Sequence, residues 1–247
     1  MAELDAKAEA ELVARLAEIH ARIEAAVARR GPGPAVRLIG VSKRHGLDKI
    51  AMAHRAGLRD FGENYAQELR DKLASLEQVG LAAPETRAST RWHYIGAIQS
   101  NKLKYIVGAA QLIHTVDRPA LLAKIDRRAA SLGVVQEFLV EVDLAGEAQK
   151  AGLPPAELPA LLDACAGLEH ARCVGLMCIP PAGEPEATRS YFRQLRELRD
   201  TLREQGPRPQ VELRELSMGM SADFEQAIEE GATLVRVGTA IFGPRTR

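Results

Sequence analysis

From residue 36 onward, eight short runs of β-forming residues alternate with longer segments of helical character. The runs occupy 36–41, 58–62, 93–96, 112–116, 138–142, 173–179, 211–216 and 234–237. Helical stretches between them include 64–79, 118–131, 156–166, 188–204 and 221–230. Strands separated in this way by crossover helices run parallel in one sheet. Eight such units are enough to close a single TIM-type (β/α)8 barrel, and 247 residues match the roughly 250 that this α/β fold needs. An open, doubly wound sheet has the same local rhythm, but no GxGxxG follows the first run.

Ahead of the first run, Leu12, Leu16, Ile19, Ile23 and Val27 recur at helical spacing with charges between them, and the pattern stops at Gly31-Pro32-Gly33-Pro34. The expected organisation is one domain over 1–247, with an extra N-terminal helix in 1–30 and the barrel in 35–243. The chain ends a few residues past the eighth run, so no second domain is expected. Residues 80–90 and 180–186 read as loops.

Lys plus Arg and Asp plus Glu both total 33, so no basic excess exists to neutralise a phosphate backbone, and nucleic acid is not an expected partner. The first 30 residues lack the apolar core of a signal peptide, and no stretch approaches the roughly 18 apolar residues of a membrane span. A cytoplasmic location is expected. Cys165, Cys173 and Cys178 form no CxxC, and the six histidines show neither HxxxH nor HExxH spacing, which argues against a disulfide framework and a protein-held metal.

In barrels of this kind the chemistry collects where strands end and βα loops begin. Lys43 stands there, directly after the first run. A solvated surface charge reads the same way, and so does a Schiff-base lysine; position alone does not decide. After the seventh run comes Ser217-Met218-Gly219-Met220-Ser221, and after the eighth Val237-Gly238-Thr239. The loops after strands seven and eight form the recurring phosphate site of the fold, and Ser221, Gly238 and Thr239 are residue types suited to it. Taken singly, Ser221 reads as an N-cap and Gly238 as a turn glycine. Asp223 would repel a phosphate and is expected to face away. Arg236 lies in an apolar stretch and needs a partner, either a carboxylate or a ring nitrogen of a cofactor. Asn64 with Gln67 resembles a capping box, and Met177 suits either core packing or a cofactor platform.

The stretches GVSK (40–43), FGENYAQE (61–68), WHYIGAIQSNK (92–102), GLMCIPP (175–181), LSMGMSADFEQAI (216–228) and VRVGTAIFG (235–243) run nearly the whole length of the chain. In this order they resemble the pyridoxal phosphate homeostasis protein family, single-barrel relatives of the alanine racemase N-terminal domain. The resemblance implies pyridoxal 5'-phosphate (PLP) carried as a covalent imine on Lys43. It places Ser217, Ser221, Gly238 and Thr239 around the phosphate and Arg236 at the pyridine nitrogen. Asn64, Met177 and Met220 complete the candidate cofactor-binding set; no residue is assigned a catalytic or metal-binding role. Two departures fall at the mouth of the site. Arg44-His45-Gly46-Leu47 lacks a proline that many members have, and Ala97 replaces a larger residue.

A racemase needs an acid/base group on each face of the substrate carbon. Lys43 can serve one face, whereas the second, a tyrosine in the resembled racemases, is not evident, and neither Tyr65 nor Tyr94 has a reason to take its place. The expected function is therefore PLP binding and intracellular PLP (vitamin B6) homeostasis and supply, without catalytic turnover. The expected protein is a monomer that transiently meets apo PLP-dependent enzymes. The alternatives are a weak PLP-dependent, racemase-like enzyme and a Schiff-base aldolase without PLP. Lys150 reads as a solvated lysine, or as a transient second aldehyde acceptor.

Overall fold

The computed structural model describes residues 2–146 and 151–244, so Lys150 lies outside the described residues. Strands β1 (Arg37–Val41), β2 (Asp60–Glu63), β3 (Arg91–Tyr94), β4 (Leu112–Val116), β5 (Gln136–Glu141), β6 (Ala171–Met177), β7 (Val211–Ser217) and β8 (Leu234–Val237) close a parallel barrel in sequence order. The helices are α1 (Ala2–Arg30), α2 (Leu47–Arg55), α3 (Ala66–Ala74), α4 (Pro84–Ser89), α5 (Leu122–Leu132), α6 (Leu158–Ala164), α7 (Pro185–Glu204), α8 (Phe224–Glu229) and α9 (Thr239–Phe242). The expected TIM-type barrel with an extra N-terminal helix is the observed fold. Among the described residues no helix is long and apolar enough to cross a membrane.

Differences from the expected elements are local. The loop expected over 80–90 contains α4, and α7 begins at Pro185 inside the second expected loop. The Asn64–Gln67 capping box does not form: α3 starts one residue later, from an extended Tyr65 that makes no side-chain cap. Ser221 is likewise not the cap of α8, which begins after Asp223.

Helix α1 buries Leu12, Leu16, Ile19, Ile23 and Ala26 against the flank where the barrel closes, in contact with α2, α8 and α9. Its polar edge is pinned by Arg22 to Glu225, Arg29 to Glu225 and Glu229, and Arg55 to Glu9. At the N-terminal end of the barrel, ion pairs join Arg37 to Glu215, Arg91 to Asp60, Arg172 to Glu212, and Arg214 to Glu137. Above them, Ile39, Leu112, Leu139, Val174, Met177 and Leu234 form a compact apolar cluster. The β6–β7 contact requires Gly175, because a Cβ there would lie 1.9 Å from the Glu215 carbonyl oxygen. The register between these strands shifts at this point.

Candidate functional site

β1 lies between β2 and β8, with Ile39 opposite Arg236 and Gly40 opposite Val237. This register brings the turn that carries Lys43 beside the loop that opens at Gly238. A Cβ on Gly238 would meet Val41 at 3.3 Å, so the glycine permits the close approach of the two strand ends. Lys43 is partly exposed in its turn.

The residues on either side of Lys43 are clamped. The Ser42 hydroxyl donates to Glu63 at 2.6 Å, and the Ser42 carbonyl accepts from Lys72 at 2.8 Å. Lys72 also donates to Glu63 at 2.6 Å and to Glu68 at 2.7 Å. Glu68 in turn accepts the Arg44 backbone N–H at 2.6 Å. Arg44 sits at φ 61, a left-handed conformation costly for a side chain with a Cβ, and the bond to Glu68 helps to hold it there. Burial pushes the Glu63 carboxyl up, against the pull of Lys72 and Ser42. Glu63, Glu68 and Lys72 brace the turn that carries Lys43, a role that the sequence reading missed. Only the i, i+4 spacing of Glu68 and Lys72 signalled a pair.

The loops after β7 and β8 meet, as expected. The Gly238 N–H donates to the Ser221 hydroxyl at 3.3 Å, and Thr239 is exposed beside them. Gly219 adopts φ 87, and a Cβ there would strike Ala227 at 2.5 Å, so this turn needs glycine. Asp223 faces back into its own turn, where its carboxylate accepts the Met220 N–H at 2.6 Å. Met220 and Ile179 are exposed apolar side chains at the mouth.

Arg236 is 4% exposed. Its guanidinium donates to the Ser217 hydroxyl at 2.6 Å and to the Cys178 carbonyl at 3.0 Å. Among the described residues no carboxylate pairs with it. Burial lowers its proton affinity, and the nearest acidic groups, including Glu141 and Asp223, only partly compensate. Two members of the candidate set are fully buried. Ser217 is fully buried, with its hydroxyl bonded to Arg236 and His114. Met177 is fully buried in the inner apolar cluster, because it faces the barrel interior among side chains from four other strands.

A cavity of about 270 Å³ opens among Asn64, Gly96, Thr115, Glu141, Ala151 and Ile179. The Asn64 side-chain oxygen is buried there without a hydrogen-bond partner. Burial raises the Glu141 carboxyl to about 7, opposed by Arg236 and reinforced by Asp117 and Asp143. Tyr94, with its hydroxyl on the Ala97 carbonyl, is raised by burial to about 12.

An amine on one strand end, hydroxyl and N–H groups gathered on two adjoining loops, a buried guanidinium without a carboxylate and an orphaned amide oxygen together fit PLP. No His/Cys/Asp/Glu group suited to a metal occurs among the described residues.

The barrel and its rim define a class: residues 14–246 match the family model of alanine racemase, N-terminal domain. A "Pyridoxal phosphate homeostasis protein" of Aquifex aeolicus is 43% identical over 233 residues, covering 94% of this chain and 97% of that one. The protein of the same name from Pseudomonas aeruginosa is also 43% identical, covering 93% and 94%. The solved structure of PipY from Synechococcus elongatus with PLP bound superposes with a TM-score of 0.80 at 38% identity, covering 94% of this chain and all of that one. The chain belongs to the pyridoxal phosphate homeostasis protein family.

Proposed function

We propose that this chain binds PLP at the C-terminal rim, holds it as a Schiff base on Lys43, and serves PLP homeostasis and supply in the cytoplasm without catalytic turnover. The observation that carries the reading is Arg236. It is a buried guanidinium held by a hydroxyl and a carbonyl, beside the strand that delivers Lys43 and below the joined Ser221 and Gly238. A cation buried without a carboxylate is costly unless another acceptor completes its surroundings, and a pyridine nitrogen is such an acceptor. PLP bound in a relative with a closely similar barrel supports the same reading.

When bound, PLP supplies an aldehyde with which a lysine amine condenses reversibly. Lys43 would supply that amine, with water as the other product, and hydrolysis would return it, so one residue would both load and unload. Ser221, Gly238 and Thr239 would hold the phosphate, with Met220 alongside, and the Asn64 side-chain oxygen, buried without a partner, would complete the set. Arg236 stays protonated and donates to the pyridine nitrogen, which keeps that nitrogen unprotonated and weakens the ring as an electron sink. That electronic state suits storage better than turnover. Residues 35–243 act as one barrel domain with the first 30 appended, working as a monomer that delivers PLP transiently to apo-enzymes.

The test is the absorbance spectrum with added PLP, before and after borohydride, followed by peptide mass mapping. A visible band that is reduced onto Lys43 and missing in Lys43→Ala supports the reading; failure to bind PLP overturns it.

A second reading, weak racemase-like turnover of amino acids, draws on Glu141. A carboxyl raised to about 7 beside the rim cavity titrates where general acid/base catalysis operates. Exchange of an amino acid's α-proton with solvent deuterium, abolished in Lys43→Ala, would favour this reading.

A further inference from the structure

The interior of a (β/α)8 barrel is ordinarily packed with branched apolar side chains. Here a line of polar groups crosses it. From Arg236 on β8, the Ser217 hydroxyl on β7 lies at 2.6 Å and the His114 Nδ1 on β4 lies 2.8 Å beyond it. His114 Nε2 then meets His93 Nδ1 on β3 at 3.0 Å, and His93 Nε2 meets Asp60 Oδ1 on β2 at 2.9 Å. Asp60 is clasped by two bonds from Arg91, at 2.8 and 2.6 Å, at the N-terminal end of the barrel. His93 is 1% exposed, and His114 and Ser217 are fully buried.

The direction of every hydrogen bond in this line follows from its two ends. Arg236 can only donate, and ionised Asp60 can only accept. A buried, neutral imidazole carries one N–H, so His93 gives its Nε2 proton to Asp60 and presents a bare Nδ1. That Nδ1 accepts from His114 Nε2–H, which leaves His114 Nδ1 bare to accept the Ser217 proton. The Ser217 oxygen then accepts from Arg236. With both rings neutral, one arrangement satisfies every ring nitrogen, and each bond points from the rim toward Asp60. Burial lowers the proton affinity of both rings, and the adjacent Asp60 opposes this only at His93, which agrees with two neutral imidazoles.

We infer that this directional line fixes the orientation of the Arg236 guanidinium toward its ligand, which makes Ser217, His114, His93 and Asp60 positioning residues for PLP. The inference rests on the proposed placement of Arg236 at the pyridine nitrogen. A polar line serving stability alone would not need to end on the guanidinium, and an apolar core would fill the same space without the cost of desolvating two imidazoles.

The experiment has two readouts. In the ligand-free protein, ¹⁵N NMR of labelled histidines should show both His93 and His114 protonated at Nε2 with bare Nδ1 atoms, and Asp60→Asn should shift the His114 resonances although the two residues are not in contact. Nδ1 protonation in either ring, or an unmoved His114, overturns the line whether or not PLP binds. In PLP titrations, Ser217→Ala and Asp60→Asn should each raise Kd about tenfold and displace the visible band, while Ser217→Thr, which keeps the hydroxyl, should restore both. In the double variant the Asp60 substitution should add less than about twofold, because Ser217→Ala has already cut the connection. Effects that multiply, or wild-type affinity in Asp60→Asn, overturn the positioning role. If Asp60→Asn does not fold, His93→Gln interrupts the same line one step nearer the rim and is read in the same way. Failure of the wild-type chain to bind PLP would sink the cofactor reading alone and leave the tautomers to decide the line.

Discussion

Lys43 is held by what its neighbours do. Ser42 is bound through both its hydroxyl and its carbonyl, and Arg44 is kept in a left-handed conformation with its N–H on Glu68. Because Glu68 also binds Lys72, one carboxylate restrains both the turn and the helix behind it. Glu68→Ala should release Arg44 toward a relaxed backbone and weaken PLP binding about fivefold, a loss of about 1 kcal/mol measurable by titration. Glu141 has the opposite sign of consequence. Its folded-state value of about 7 lies above the ordinary carboxylate range, so the folded state keeps a proton that the unfolded chain has released. Its contribution therefore falls as pH rises from about 4.5 to about 7, and Glu141→Gln should raise stability at pH 8 by about 2–3 kcal/mol and have little effect at pH 4 in denaturant titrations.

At the scale of elements, α1 belongs to the barrel's outer layer. Its apolar stripe is buried to the level of the core, with Leu16 at 2% exposed, whereas the charges along its edge remain partly in water. Burial, and not ion pairing, should hold it in place. Leu16→Ala should cost about 3 kcal/mol and Glu225→Gln less than about 1 kcal/mol in chemical denaturation. Equal losses would mean that the exposed pairs do more than their solvation allows. The loops after β7 and β8 illustrate the same division between local and tertiary causes. Gly219 is required by its own turn at φ 87, whereas Gly238 makes room for Val41 of β1, and its contact with Ser221 exists only because the barrel closes.

For the whole molecule, the N-terminal end of the barrel is an ionic layer and the C-terminal rim holds the proposed cofactor site, with the polar line joining the two. Burial pushes the Asp60 carboxyl up, but hydrogen bonds from Arg91 and His93 outweigh it and hold the group at about 2. A lowered carboxylate contributes stability that is complete above its unfolded value near 4 and is lost as pH falls through about 2. The wild type should therefore lose about 2 kcal/mol more than Asp60→Asn between pH 4 and pH 2, as measured by thermal or urea unfolding. Acid profiles of equal slope would show that Asp60 is not held in this way.

The alternation of eight apolar runs with helical segments sufficed to specify the barrel, because strand and helix periods are local properties and strict alternation leaves a parallel sheet few ways to close. The convergence of Lys43, Arg236 and the pair of loops at 217–221 and 238–239 on one end of the barrel was also legible, since the C-terminal ends of its strands gather at one rim. Inward direction within a strand and pairing across the barrel were not. Ser217 and Met177 read as rim residues in a one-dimensional chain, yet the closed sheet turns both into the core. His114 and Ser217 are separated by 103 positions and meet only because β4 and β7 face one another across the barrel. Local propensity identifies which residues begin a strand or a turn; which buried donor finds which acceptor depends on closure, where an unpaired polar group costs too much to be left alone.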